Sequence, residues 1–220
     1  MQCSKCRNGS IIYQPYSGQY LCRDHFIDDF EAKAKRAIRV QHGMQPGDII
    51  GVPQTVDIVG QGLLFFLQKL TGNRRDVRVV TIPSSSTGAR YQEMAGSHGI
   101  TKIAIPTTLE DVAASALSDI LHGDVEKHFS PGPGTAGTLP TVTPFSHIPA
   151  EEVIAYARVC GIAGETPPLR KEPDRLHTEV AAMLIDYSRR HPATPHAVLN
   201  LCEALARTCT KTSEVSPHGA

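Results

Sequence analysis

The stretch Pro46-Gly47-Asp48-Ile49-Ile50-Gly51-Val52-Pro53 decides the fold. A Pro-Gly break opens it, and Asp48 to Val52 then reads as a short strand with almost no polar face, which is the mark of a strand covered on both sides. Working outward, Leu63 to Leu70 with Val59 predicts a helix that is apolar nearly all round. A second strand, Val77 to Ile82, stops at Pro83, and a helix is expected near Ala89 to His98. A third strand, Lys102 to Ile105, stops at Pro106, and Thr108 with Glu110 and Asp111 starts a helix from Leu109 to Leu121. Strands alternating with helices, each strand continuously apolar, predict an α/β domain with a parallel, doubly wound sheet.

Ligands of such sheets sit beyond the carboxyl ends of the strands. Here those ends carry Pro53-Gln54-Thr55-Val56-Asp57, Pro83-Ser84-Ser85-Ser86 and Pro106-Thr107-Thr108. A phosphate cradle needs glycines so that backbone N–H groups can converge on the anion, whereas proline offers no N–H at all. Neither the P-loop nor the dinucleotide spacing occurs, and Gly60-Gln61-Gly62 is a lone fragment.

Before the first strand, Cys3-Ser4-Lys5-Cys6 and Cys22-Arg23-Asp24-His25 form C-x2-C-x15-C-x2-H. Two close pairs on separate turns supply the four ligands of a tetrahedral zinc ion, so Cys3, Cys6, Cys22 and His25 are the candidate metal ligands. Ser10 to Tyr13 and Gln19 to Leu21 read as two short strands about the Pro15-Tyr16-Ser17-Gly18 turn, a hairpin knuckle whose metal replaces a core too small to form. Four protein ligands leave no open position, so the role is structural. A redox role for Cys3 and Cys6 lacks a surrounding βαβ pattern.

A helix follows from Asp24. Phe26, Ile27, Phe30, Ala34, Ala37 and Ile38 make its apolar stripe, and Lys33, Lys35, Arg36 and Arg39 crowd the other side. Acids early and bases late suit the helix dipole, which accounts for part of that basic face; contact with nucleic-acid phosphates is the other reading. Further on, Ser130 to Thr138 is a Pro/Gly linker, followed by helices from Pro149 to Cys160, Asp174 to His191 and Pro195 to Thr208. Leu176, Val180, Met183, Leu184 and Tyr187 form a stripe expected to pack on the sheet or a partner. Arg170, Lys171, Arg175, Arg189 and Arg190 make a second basic cluster, read as solvated helix ends. Cys160 reads as core, and Cys202 and Cys209, even with His218, as free or buried thiols rather than a second metal module.

The chain has 220 residues, 22 basic and 22 acidic side chains, 18 glycines and 16 prolines. That balance excludes a wholly basic nucleic-acid binder and an acidic disordered chain. No apolar run reaches the length of a membrane span, so a soluble, cytoplasmic chain without membrane association is expected. Neutrality hides a polarity: residues 1–98 carry 12 bases against 8 acids, and residues 99–155 carry 2 against 7. The acidic middle suits a basic partner.

With these parts in order, the chain resembles the cytoplasmic tRNA 2-thiolation family of PP-loop ATPases. The knuckle, the basic helix and Met44 to Ile50 resemble that family closely over residues 1–52, and the likeness continues to about residue 200. Thr107-Thr108-Leu109-Glu110-Asp111 with Ile120 to Asp124 looks like its H-N-L-D-D helix and L-L-x-G-D ending. Thr143-Pro144-Phe145 and Glu151 to Ala157 look like its later P-F and E-E-E…Y-A helix. The family's S-G-G-x-D-S falls on Pro53-Gln54-Thr55-Val56-Asp57-Ile58, making Pro53, Gln54, Thr55 and Asp57 a degenerate nucleotide loop. The family's internal C-x2-C has no counterpart, because residues 77–105 hold no cysteine, and Gly161 to Pro168 lacks the later one.

The resemblance therefore implies a degenerate member similar to the non-catalytic subunit of the two-component tRNA thiolase. Structural zinc is expected, ATP and an Fe–S cluster are not, and the partners are a catalytic PP-loop paralogue in a hetero-oligomer and tRNA. The implied divisions are knuckle and basic helix (1–43), degenerate α/β domain (44–129), linker (130–148), carboxyl-terminal helices (149–210) and tail (211–220). Two alternatives stand beside this: an ATP-dependent tRNA-modifying enzyme whose phosphate loop is unorthodox, built on Gly60-Gln61-Gly62 or Ser84-Ser85-Ser86, and a zinc-containing scaffold unrelated to tRNA.

Overall fold

In the computed structural model of the chain, residues 1–41, 43–83, 99–123, 139–165 and 175–213 are described, the last eight by their backbone. Within them the elements run β1 (Ile12–Gln14), β2 (Gln19–Leu21), α1 (Arg23–Val40), β3 (Ile49–Pro53), α2 (Ile58–Thr71), β4 (Arg78–Ile82), β5 (Lys102–Ala104), α3 (Leu109–His122), β6 (Thr141–Val142), α4 (Ala150–Val159), α5 (Arg175–Ser188) and α6 (Thr194–Ser213). The helix expected at residues 89–98, the Ser84–Ser86 segment, residues 130–138 of the linker, Arg170, Lys171 and His218 lie outside the described residues.

The sheet is parallel, as its apolar strands require, in the order β4-β3-β5-β6. Alternation along β3 divides the side chains. Ile50 and Val52 join the main core with Ala104 and Val142, and Ile49 joins Ile82, Ile100 and Ile103 in a smaller cluster. β6 is the strand that sequence reading misses, since it occupies ground assigned to a linker. It is two residues long and flanked by Pro140 and Pro144, which an edge strand tolerates.

Two compact units emerge: Met1–Thr108 with Ala136–Leu169, and Leu109–Thr135 with Arg170–Ala220. In the first, α1, α2 and α4 share the core of the sheet, around Phe26, Phe30, Phe66, Phe145 and Tyr156. At Gly62 α2 packs closely on α4, where a Cβ would stand in van der Waals contact with that of Ala157 at 3.4 Å.

The second unit holds α3, α5 and α6. Ala113 and Ala114 pack with Val180 and Leu184, and Ala116 packs with Cys202. The sequence pattern grouped α3 with the strands, but its alanine face suits close helix packing. Of the stripe expected on α5, Met183 and Tyr187 stay exposed, the latter stacked on His191. No helix among the described residues is long and apolar enough to cross a membrane.

Candidate metal centre and the closed strand end

The knuckle is built by its hairpin. β1 and β2 pair antiparallel with Tyr13 opposite Tyr20, and the turn closes through Gly18 at φ 67°, whose N–H donates to the Gln14 carbonyl at 2.8 Å. The Cys3 N–H donates to the Asn8 carbonyl at 2.9 Å, which curls the first pair, while Cys22 caps α1 and His25 stands one turn inside it. Residues three apart on a helix share a face, so this pair needs no distortion to converge.

The four ligand atoms all lie within 4.8 Å of one another. Cys6 Sγ is 3.7 Å from Cys22 Sγ, and His25 Nδ1 is 3.5 Å from Cys3 Sγ and 3.3 Å from Cys22 Sγ. Metal–sulfur bonds of about 2.3 Å and metal–nitrogen bonds of about 2.0 Å give tetrahedral edges of about 3.8 Å between sulfurs and about 3.5 Å from sulfur to nitrogen. The residues therefore fit a tetrahedral ion, and the motif is a metal-binding one. Burial opposes charge on Cys3, but the backbone of Cys22, Lys5 and Cys6 outweighs it and brings the thiol down to about 6. On Cys6 the Asn8 backbone favours the thiolate, yet burial and the Cys22 and Cys3 thiols together push it up. A bound cation reverses that crowding by taking the thiols as anions.

Behind the knuckle lies a polar network that the sequence does not announce. Lys33 Nζ sits 2.6 Å from Asp29 Oδ2, 3.5 Å from Glu152 Oε2 and 2.6 Å from the Tyr16 hydroxyl. Gln14 is buried and donates to Asp29 and Glu152 at 2.9 and 3.1 Å. Burial and then Glu152 push the Tyr16 phenol up, so it stays protonated and donates to Glu152 Oε1 at 2.6 Å. Nearby, Tyr156 stacks on Phe30 with centroids 4.0 Å apart and donates to Glu31. Glu152 and Tyr156, picked out in sequence only as part of an E-E…Y-A pattern, thus bind α4 to the knuckle helix.

The four bases of α1 have different surroundings. Lys33 faces inward to this network, Lys35 pairs with Glu31 at 3.0 Å, and Arg36 and Arg39 are exposed.

The carboxyl end of β3 is closed by the chain itself. Asp57 caps α2, its carboxylate accepting from Gly60 N–H at 2.8 Å. The Ile58 N–H donates to the Glu165 carbonyl at 2.8 Å, and the Glu165 N–H returns to Val56 at 3.0 Å. The segment Gly164-Glu165 thus lies across the helix start, so close that a Cβ on Gly164 would stand 2.7 Å from Ile58 Cα. Thr55 Oγ1 is buried without a hydrogen-bond partner among the described residues, pressed where a Cβ on Gly60 would come. Two donors that could meet a phosphate at this helix terminus are spent internally.

Comparison with known proteins bears on both regions. Residues 2–27 match the family described as 2-thiouridine synthetase TtuA, N-terminal LIM domain. The chain is 23% identical to the tRNA 2-thiolation protein NcsA of Haloferax volcanii, covering 94% of this chain and 87% of that protein. These matches make the chain similar to tRNA 2-thiolation proteins, over its first residues and along most of its length. A partial match, 26% identical over 49% of the chain and 34% of the other, is to the tRNA-cytidine(32) 2-sulfurtransferase of Bordetella petrii. The fold is shared with the U34-tRNA thiolase NcsA of Methanococcus maripaludis at a TM-score of 0.76 and 15% identity, over 94% of this chain and 87% of that one. The alignment with the Haloferax protein runs over 280 positions, more than the 220 residues here, so that protein has segments without a counterpart in this chain.

One expectation is overturned. The missing cysteine pairs led to the exclusion of an Fe–S cluster, but the Methanococcus thiolase of the same fold was solved with its [4Fe-4S] cluster. A missing C-x2-C spacing reports one arrangement of ligands and cannot exclude a cofactor from a fold that holds it. Among the described residues, the knuckle is the one group of three or more potential ligands within reach of a common ion. Cys160 packs against the main core and Cys202 is buried beside Ala116; burial pushes both thiols up.

Proposed function

We propose that this chain is a zinc-stapled, tRNA-binding member of a wobble-uridine 2-thiolation system that assists a catalytic PP-loop paralogue and does not perform the transfer by itself. The observation that carries this reading is the closed end of β3. Two N–H groups of the first turn of α2 are taken, Gly60 by the Asp57 carboxylate and Ile58 by the Glu165 carbonyl, where a working phosphate loop would leave them free for the nucleotide. The knuckle, by contrast, has a complete set of ligands. Zinc bound by Cys3, Cys6, Cys22 and His25 would hold the hairpin to the start of α1 and offer no position to a substrate.

Purified protein supplied with tRNA, Mg-ATP and a sulfide donor is expected to form no 2-thiouridine, and a tagged chain expressed at native level is expected to bring down an intact PP-loop paralogue together with tRNA. Formation of 2-thiouridine by the chain alone overturns the non-catalytic part. Absence of tRNA from both the chain and its complex overturns the tRNA part.

A second reading, a thiolase active in its own right, is favoured by the activities named for the Haloferax and Methanococcus proteins. It requires the Gly164-Glu165 segment to move off α2, and under it Asp57→Ala abolishes activity.

A further inference from the structure

The later turns of α1, the turn that follows it and the end of α2 enclose a groove of about 420 Å³, which shares Lys35 and Leu70 with a smaller hollow of about 180 Å³. Its apolar floor comes from Ile38, Met44 and Leu70, and its walls carry Lys35, Arg39 and Arg74, while Lys69 and Glu31 line the adjoining hollow. One lining carboxylate, Glu31, serves both Lys35 and Lys69. Burial raises its pKa, but Lys69 and Lys35 outweigh burial and keep it ionised. Arg74 is held by Asp76 at 2.7 Å and donates to the Met44 carbonyl, so that wall is fixed in advance. Arg39 is exposed and has no carboxylate partner among the described residues. Four cations share two anions, and the excess charge lies over an apolar floor.

That combination selects its ligand. A small free anion is held by buried donors, and these are half-exposed side chains on an open groove. A lipid surface is met by apolar groups that project beyond the charges, and here they lie beneath them. A nucleic-acid strand presents what the groove lacks: repeated phosphates for the walls and a ribose or base face for the floor.

We propose that the groove between α1 and α2 and the hollow that continues it bind the backbone of a tRNA strand, with Arg39 meeting a phosphate in the groove and Lys69 one in the hollow. This rests on the reading that the chain binds tRNA, and it changes which bases do so. Lys33 is committed to Asp29 and Glu152, and Arg36, though exposed on the same helix, does not line the groove. Lys69 and Arg74, outside α1, take their places.

The test is binding of transcribed tRNA to the full chain, alone and with its copurifying paralogue, across a salt series. Arg39→Gln with Lys69→Gln is expected to weaken binding about tenfold or more and to flatten the dependence of log K on log salt by about 1.5, the loss of two phosphate contacts. Arg36→Gln, and Arg189→Gln with Arg190→Gln, are expected to stay within about twofold. Thermal melting separates binding from folding: a weakened double variant that also melts early, with its salt slope unchanged, overturns the groove. So does a double variant that binds like the unaltered chain, and in that case the tRNA reading itself survives. If the unaltered chain binds no tRNA in either form, the tRNA reading falls and takes the groove with it.

Discussion

Both α1 and α2 begin at a residue that caps them, and the two caps are used in opposite ways. Cys22 caps α1 without a side-chain hydrogen bond to the helix, which leaves its thiol to converge with Cys3, Cys6 and His25. Asp57 caps α2 by spending its carboxylate on Gly60, and the Gly164-Glu165 segment takes the Ile58 N–H. One helix start turns its chemistry toward a cluster that could share an ion, and the other consumes it locally. A helix terminus is therefore an opportunity, and the residues that meet it decide whether a ligand can use it.

Metal removal is the largest blow that can be struck at this contrast. Structural zinc sites contribute about 10 kcal/mol or more. Dialysis against a strong chelator, or Cys22→Ser, is expected to release one metal per chain and unfold the hairpin while the sheet persists, as read by elemental analysis and amide exchange. Full retention of the hairpin after metal loss would break the comparison on its knuckle side. On the other side, Gly164→Ala puts a methyl against Ile58 and is expected to cost about 1–3 kcal/mol, with faster exchange of the Ile58 amide. An unchanged amide would show that the segment does not cover the helix start. Asp57→Ala is expected to cost about 1 kcal/mol, the ordinary loss of a cap, in thermal melting. If it instead leaves stability untouched and abolishes thiolation, Asp57 serves a nucleotide and α2 is not closed. The smallest effect belongs to Thr55→Val, which removes a buried hydroxyl without a partner and is expected to be neutral or to stabilise by up to about 1 kcal/mol.

The knuckle was legible in sequence because its four ligands fall in two short spacings, each local enough to be read as a turn. The parallel sheet was legible for the same reason, since β3, β4 and β5 are apolar runs ended by proline. β6 escaped because pairing with Ala104, not the character of Thr141-Val142, makes it a strand. The closure of α2 escaped for a related reason: Pro53 to Ile58 shows that glycines are missing, but not that residues more than a hundred positions later fill the space. Lys33 looked like its neighbours on α1, and the approach of Tyr16 from the hairpin and of Glu152 from α4 separates it from them. Local pattern reports what a segment can do; partners distant in sequence decide what it does.

The joining of Glu152 and Tyr156 to Gln14, Phe30 and Glu31 also sets an order of events during synthesis. The candidate metal ligands precede α4 by more than a hundred residues, so the knuckle can close before α4 is made. Its seat on the sheet waits for α4, and α3, which belongs to the other unit, is translated in between. Until α4 arrives the knuckle lacks the contacts of Glu152 and Tyr156, and that interval is when a bound ion would matter most.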